Sequence, residues 1–273
     1  EVEKIRGVQD LAINNAAITR ELTVAGKDGL IVLRPLQTIS GAPFENGVFA
    51  RVLDVQGQAT RNGFFAFDRS ERSGVMLALV DIDGDGKKEK VRRIVKGETL
   101  AIGDITGEGV KEIIIGKSGQ VHVERLDGTP VILPFSPFGP QYKGEVNVAV
   151  GDLNNDGFAE IVVGAGAGGG PQVRIFTGQG RLISGGFFAY DPRFRGGVRV
   201  AVGDVDNDGN VEIVTGPGVG GGPQIRIFNS KGQAEGPGFF AFDRAGRAGA
   251  VPIVTDVDGD GTFEIVAVTK EIL

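Results

Sequence analysis

Cysteine is absent from this chain of 273 residues, so disulfides, thiolate metal sites and thiol nucleophiles are all excluded. Tryptophan is absent as well, and there is one methionine and one histidine. That lone His122 cannot assemble a zinc cluster, a two-histidine motif or the partner set of a histidine-based triad. No apolar run approaches the roughly 20 residues that cross a bilayer as a helix. Glu1 to Asp10 has neither the basic nor the apolar region of a secretory signal, so an exported protein would have had its signal removed from this sequence. With 29 Lys plus Arg against 35 Asp plus Glu and no basic stripe, the net charge of -6 offers no footprint for nucleic acid.

What the chain has instead is glycine, 46 of them, at roughly twice the average share. Turns must therefore be frequent, and self-similarity shows where they fall. Residues 146–191, "VNVAVGDLNNDGFAEIVVGAGAGGGPQVRIFTGQGRLISGGFFAYD", return as 198–243, a period of 52 residues. An acidic loop opens at Asp81, Asp104, Asp152, Asp204 and Asp256. The segment "FFAFD" or its variant begins at Phe64, Phe187 and Phe239, each 17 positions before such an aspartate, and "FSPFG" from Phe135 keeps the same offset to Asp152.

Runs such as Val198, Val200, Val202 and Ile225, Ile227 alternate with small or polar residues between Gly-rich turns, which predicts strands, whereas no segment shows a 3.6-residue period. In the copy at Asp204 the strands are expected at 198–203, 211–216, 223–229 and 237–242. Four-stranded units repeated around an axis are propeller blades. The predicted fold is thus all-β, a β-propeller of about six four-stranded blades with the acidic loops between first and second strands. Residues 18–273 would form it, with a first blade at 18–68 whose loop has decayed to "AGKDG" around Asp28, and full copies at 99–138, 146–191 and 198–243. Two copies, 74–95 and 251–268, hold only two strands. An exposed sheet edge is a pairing template. The expected cover for the C-terminal half blade is the segment 1–17 through "VEKIR" and "LAIN", the alternative being a strand from another copy, which would make a homo-polymer.

The five loops place oxygen-bearing side chains at positions 1, 3, 5 and 9, a backbone carbonyl at 7 and glycine at 6. They name the candidate metal ligands: Asp81, Asp83, Asp85, Lys87 and Glu89; Asp104, Thr106, Glu108, Val110 and Glu112; Asp152, Asn154, Asp156, Phe158 and Glu160; Asp204, Asp206, Asp208, Asn210 and Glu212; Asp256, Asp258, Asp260, Thr262 and Glu264. At Lys87, Val110, Phe158, Asn210 and Thr262 the ligand is the main-chain carbonyl. Such oxygen-only sets suit Ca²⁺, and Mg²⁺ less well because it keeps its waters in a strict octahedron. An EF-hand would need an acid at position 12, where this chain has Arg92, Ile115, Val163, Thr215 and Ala267. Three or four crowded carboxylates repel without a cation, so about five Ca²⁺ are expected to couple to folding.

The nine-residue loop together with "GGGPQVRIF" and "FFAYD" resembles the FG-GAP or VCBS repeats of integrin α-subunit heads and bacterial surface proteins, over roughly residues 18–268. The resemblance implies a propeller with calcium in loops between the first two strands of each blade. Integrin-like heads have seven blades, one more than this chain provides.

Other motifs carry less. "GAGAGG" from Gly164 and "GPGVGG" from Gly216 fit G-x-G-x-x-G, but Pro171 or Pro223 and then a strand follow, where a dinucleotide site needs a helix. The phenylalanines of "FFAFD" read as packing between blades. Arg69, Arg72, Arg193, Arg195, Arg244 and Arg247 follow those segments and read as a solvated rim paired with Asp68, Asp191 and Asp243. The expected function is a non-catalytic, calcium-stabilised binding, adhesion or assembly module at the cell surface or outside the cell, with a protein or glycan ligand. A self-assembling filament subunit and a lectin-like or polysaccharide lyase protein are the alternatives.

Overall fold

A computed structural model describes residues 12–13, 22–26, 29–33, 49–65, 75–80, 82–85, 89–94, 98–256 and 260–269, with side chains at 53–58, 82–85, 98–183, 185–256 and 260–269. Among these residues there are strands and no helix. In chain order they are β1 (Ala12–Ile13), β2 (Leu22–Gly26), β3 (Gly29–Leu33), β4 (Phe49–Leu53), β5 (Ala59–Phe65), β6 (Val75–Val80) and β7 (Glu89–Ile94). There follow β8 (Glu98–Gly103), β9 (Glu112–Lys117), β10 (Gln120–Glu124) and β11 (Pro130–Phe135), then β12 (Val146–Gly151), β13 (Glu160–Ala165), β14 (Gln172–Phe176) and β15 (Leu182–Phe188). The last are β16 (Val198–Gly203), β17 (Glu212–Pro217), β18 (Gln224–Phe228), β19 (Phe239–Phe240), β20 (Val251–Thr255) and β21 (Glu264–Thr269).

Three antiparallel meanders, β8 to β11, β12 to β15 and β16 to β19, take one repeat each. Their registers coincide: Ile102 faces Ile113, Val150 faces Ile161 and Val202 faces Ile213. The strands of the Asp204 copy lie within a residue or two of expectation, except that β19 is cut to two residues. Gly236 and Gly238, both left-handed (φ 86° and 74°), take the chain off the ladder just before it.

Burial falls from the first two strands outward. The apolar runs of β13 and β17 are buried on both faces, β14 and β18 alternate, and β11 is half open to solvent. First strands β8, β12, β16 and β20 lie side by side, giving a propeller-like succession of sheets packed face to face. Each apolar cluster spans two neighbouring sheets, as where Ile114 and Val121 meet Val148 and Ile161. Close approach is allowed by one glycine in each of the second strands β9, β13 and β17. A methyl at Gly116, Gly164 or Gly216 would collide with the carbonyl oxygen of Val146, Val198 or Ala250 in the next sheet. A polar ladder along the first strands crosses the same joints: Thr99 Oγ1 donates to Val146 O (2.5 Å), and Asn147 Nδ2 donates to Val198 O (2.8 Å). Phe135 and Phe187 do pack between sheets, on Phe176 (4.9 Å) and Phe228 (4.7 Å), whereas Phe188 is exposed.

The C-terminal pair β20–β21 is completed to four strands in the order β20-β21-β4-β5. This corrects two expectations. The edge of β21 is taken by residues 49–65 and not by 1–17, and residues 18–68 do not form one blade. Of the segment 1–17 only Ala12–Ile13 is described, paired with β2 in a three-stranded sheet with β3. The reason lies in the sequence of β4 and β5: "FARVLDVQGQATRNGFF" repeats, 123 positions earlier, the third and fourth strands "QVRIFTGQGRLISGGFF". This hairpin therefore carries the side chains that a first-and-second-strand pair lacks. Its turn also joins the neighbouring sheet in the usual way, with Phe239 against Gly57 as Phe187 is against Gly232. The pair β6–β7 has two strands among the described residues, as the short copy at 74–95 anticipates.

Leu53 in β4 is 2% exposed and packs in one cluster with Val254 and Ile265. Leu53→Ala is expected to lower stability by about 2–5 kcal/mol, as for other buried leucines. Urea unfolding measures it, and an unshifted midpoint would show that β4 does not close this sheet.

Candidate metal centre

Each acidic loop leaves the end of a first strand and returns as a second strand, so all five lie at the same end of their sheets. Asp81, Lys87 and Asp258 lie outside the described residues, and Glu89 is described only as the first residue of β7. Where both positions are described, in the Asp104, Asp152 and Asp204 loops, the backbone has two left-handed positions. Position 6 is the glycine the sequence singled out, for example Gly157 at φ 89° and Gly209 at φ 88°. Position 4 was missed: Asn155 (φ 58°) and Asn207 (φ 61°) are left-handed without being glycine. The signal was present, because position 4 is Gly or Asn in all five loops and those residues tolerate this conformation best.

Position 1 gathers the turn around its carboxylate. Asp104 accepts N–H bonds from Thr106 (3.1 Å), Gly107 (2.6 Å) and Gly109 (2.7 Å). Burial alone would raise its pKa, but the bonds from Gly109, Gly107 and Thr106 outweigh it and hold Asp104 below the usual carboxylate range. Asp152 does the same for Asp156 (3.1 Å) and Gly157 (2.8 Å), Asp204 for Asp208 (3.1 Å) and Gly209 (2.9 Å), and Asp256 for Gly261 (3.0 Å). Position 5 holds position 7: Phe158, Asn210 and Thr262 donate N–H to Asp156, Asp208 and Asp260 at 2.9, 2.8 and 2.8 Å. Val110, at position 7 of the Asp104 loop, packs on the cluster around Ile82.

Position 9 turns inward. Glu112, Glu160 and Glu212 are 0%, 5% and 3% exposed, and Oε2 of each accepts the N–H at position 2, from Ile105 (3.1 Å), Leu153 (2.9 Å) and Val205 (3.0 Å). The other oxygen decides the character of the loop. Glu112 Oε1 accepts from the Thr106 hydroxyl (3.4 Å) and Glu160 Oε1 from the Asn154 amide (3.1 Å). At the same place beside Glu212 stands Asp206, which has no proton to give. Burial, then Asp206, Glu235 and Asp208, push Glu212 up to about 7 against the opposing Val205 N–H. Here the carboxylate oxygens of Asp204, Asp206 and Asp208 also come within 4.8 Å of one another. The Asp104 loop brings no such trio together, since Glu108 is drawn to Arg125 (3.5 Å). Asp83 and Asp85 are exposed and joined by an Asp85 N–H bond to Asp83 (3.1 Å), and Glu264 is half-buried at the start of β21.

Neighbouring loops touch. Lys111 N donates to Ile82 O (2.8 Å), Ala159 N to Asp104 O (3.1 Å) and Asn155 Nδ2 to Gly209 O (3.1 Å). The stretch from Asp152 to Thr215 thus contains two linked loops and the strands between them. Residues 152–215 match the FG-GAP-like repeat family. This stretch is an FG-GAP-like repeat. No curated protein sequence matches the chain. Among solved structures, a lectin of Agrocybe aegerita that recognises non-reducing terminal N-acetylglucosamine is similar at 15% identity and a TM-score of 0.44, over 96% of this chain and 92% of that one. Virginiamycin B lyase of Staphylococcus aureus is similar at 13% identity and 0.38, over 91% and 73%. The Photorhabdus luminescens Tc holotoxin pore is similar at 13% and 0.28, over 96% and 16%. All three scores are low, and none bears on chemistry.

Two motifs set aside by sequence keep that reading. His122 sits mid-strand in β10 opposite Ile115, and the glycines of the FG-GAP-like repeat at 164–170 lead into β14 and not into a helix.

Without metal, folded Glu212 keeps its proton to about pH 7, whereas the unfolded chain releases it near a glutamate's ordinary 4.5. Its contribution to stability is whole below the lower value and is lost as pH rises through the higher one. In chelator the melting temperature is therefore expected to fall from pH 5 to pH 8, and Glu212→Gln to flatten that fall. Melts at four pH values read both slopes, and parallel slopes would rule out Glu212 as their source.

Proposed function

We propose that the chain is a calcium-stabilised β-propeller of about six blades that acts outside the cell as a non-catalytic binding or assembly module. One observation carries the metal: in the Asp204 loop three carboxylates converge beside buried Glu212, and no Lys or Arg forms an ion pair with any of them among the described residues. In the two preceding loops a hydroxyl or an amide donates to the position-9 glutamate; here only a proton or a cation can take that place. The donor set is all oxygen, which selects a hard cation, and ligands from alternate positions of a short loop suit Ca²⁺ at about 2.3–2.6 Å. Asp204, Asp206, Asp208, the Asn210 carbonyl and Glu212 would hold it, and bound calcium supplies charge neutralisation that braces two strands at their loop.

Carried to the other four loops, the reading gives about five ions, with the Asp256 and Asp81 loops closest to the Asp204 loop in residue type. Loops of this openness are filled where calcium is plentiful, with affinities of about 10⁻⁴ to 10⁻³ M, which supports a place outside the cell. The carboxylates are engaged with backbone N–H groups, and the one histidine lies apart on β10, which supports binding over catalysis. A second reading, a homo-polymer built by strand addition, is favoured by β6–β7 having two strands among the described residues.

Calcium at 100 times its Kd is expected to stabilise the fold by about 2.7 kcal/mol per site, and excess EGTA to remove that gain. Asp204→Asn with Asp208→Asn should reduce it by one site. An identical melting temperature in calcium and EGTA, with no metal found by elemental analysis, would falsify the reading.

A further inference from the structure

At the end of the sheets opposite the acidic loops, two successive repeats build the same niche. The connection between second and third strands is a bare glycine run, 168–170 and 220–222, and it is tied to the connection leaving the fourth strand by Gly168 N to Arg195 O (2.8 Å) and Gly220 N to Arg247 O (2.7 Å). Over it stand an aromatic ring and a guanidinium. Phe188 and Arg195 adjoin Gly170, and Phe240 and Arg247 adjoin Gly222. Gly170 and Gly222 are not left-handed, and a methyl there would meet the ring edge at 3.3 and 3.4 Å, a contact that a small shift relieves. Neither backbone strain nor packing therefore demands glycine at these two positions, and what its use leaves is an open shelf beside the ring.

The arginines are held in place. Arg195 Nη1 donates to Pro192 O (2.6 Å) and Phe194 O (3.0 Å), and Arg247 Nη1 to the carbonyls of Arg244 (2.8 Å), Ala245 (3.0 Å) and Gly246 (2.7 Å). Anchored through Nη1, exposed Arg195 keeps Nε and Nη2 for a carboxylate or sulfate, with the nearby Asp191 already paired to Arg193 (2.9 Å). Little side-chain entropy remains to be lost on binding. The Phe188 ring is 47% exposed, and Arg244 adds a second cation 4.5 Å over the ring of Phe240.

We propose that this end of the molecule binds an anionic polysaccharide, one sugar ring lying on the glycine shelf against Phe188 with its carboxylate or sulfate on Arg195, and a second unit on the Phe240 and Arg247 niche. A flat aromatic beside a bare backbone shelf accommodates a pyranose ring, and the recurrence of the niche from one repeat to the next fits a ligand that itself repeats. The proposal rests on the reading of the chain as a binding module and names its ligand class.

The experiment uses the full chain in 1–2 mM calcium, flowed over immobilised hyaluronan, chondroitin sulfate, neutral dextran and poly-glutamate at two salt concentrations, chosen at about the supply that weak extracellular sites need. The expected result is binding to one or both anionic polysaccharides that weakens with salt, none to dextran, and at least tenfold weaker binding to poly-glutamate. Gly170→Val with Gly222→Val fills both shelves and leaves the arginines in place, and should weaken polysaccharide binding at least tenfold. Phe188→Ser is the second arm should the double variant melt early. Binding to hyaluronan, which carries carboxylates alone, assigns the carboxylate, and binding to chondroitin sulfate without hyaluronan assigns the sulfate. Equal binding to dextran, preference for poly-glutamate, no binding, or undiminished binding by well-folded variants each overturns the proposal. A melt with and without calcium on the same samples keeps the two questions apart: calcium stabilisation without polysaccharide binding sinks this inference alone, and its absence sinks the metal reading.

Discussion

A buried carboxylate has to be matched by a donor, a proton or a cation, and at the base of the acidic loops this requirement organises everything above it. Glu112, Glu160 and Glu212 each spend one oxygen on the N–H at position 2, which pins the start of the loop to the start of the second strand. The remaining oxygen meets the position-3 side chain. Threonine and asparagine answer it with a hydrogen bond, so those two loops are partly satisfied by the protein itself. Aspartate cannot, and the Asp204 loop is left with an electrostatic deficit that only an added positive charge removes. The same fold position therefore spans a range from a carboxylate matched by the protein's own donors to one left without a donor, set by one residue type.

The strands beneath the loops transmit that condition around the molecule. A glycine in the second strands β9, β13 and β17 lets the next sheet approach to backbone contact, and position-8 amides in two loops donate to the loop before. Asn155 extends the linkage forward: its amide holds the Gly209 carbonyl, while the Gly209 N–H holds Asp204. A change of charge in one loop thus alters the footing of its neighbour through two hydrogen bonds and no intervening solvent. The sheet β20-β21-β4-β5 joins the two ends of the repeat array, so the last loop is tied to the beginning of the array by backbone pairing.

Period, strand number and the loop positions were legible because identical side chains recur at fixed offsets, and recurrence survives any error in placing a single strand. The destination of residues 49–65 was hidden by chain order. Read along the chain, the hairpin looks like the end of a first blade; only the comparison with Gln172–Phe188, 123 positions on, shows that it holds third and fourth strands without a first and second before it. The inward turn of the position-9 glutamates was hidden for a different reason. A glutamate after a glycine-rich loop looks solvated in sequence, and its burial depends on the apolar second strand that it begins, as Ile161 and Ile213 show by being fully covered. The left-handed asparagines were visible as a residue preference at position 4 but had no meaning until the backbone angle supplied one.

Meander topology then fixes what the two ends can do. With all first strands running the same way, loops between first and second strands collect at one end, and connections from fourth to first strands collect at the other. The carboxylates of the acidic loops lie at the first, while Asp191, paired with Arg193 (2.9 Å), and Asp243 stand among the arginines of the second. Arginines stand at the second in connections such as 191–197 and 243–249, which close on their own carbonyls through Nη1 of Arg195 and Arg247. The gathering of the loop carboxylates at one end is thus a consequence of the repeat and not an added feature. It leaves the loop carboxylates and the arginine-bearing connections at opposite ends of the strands.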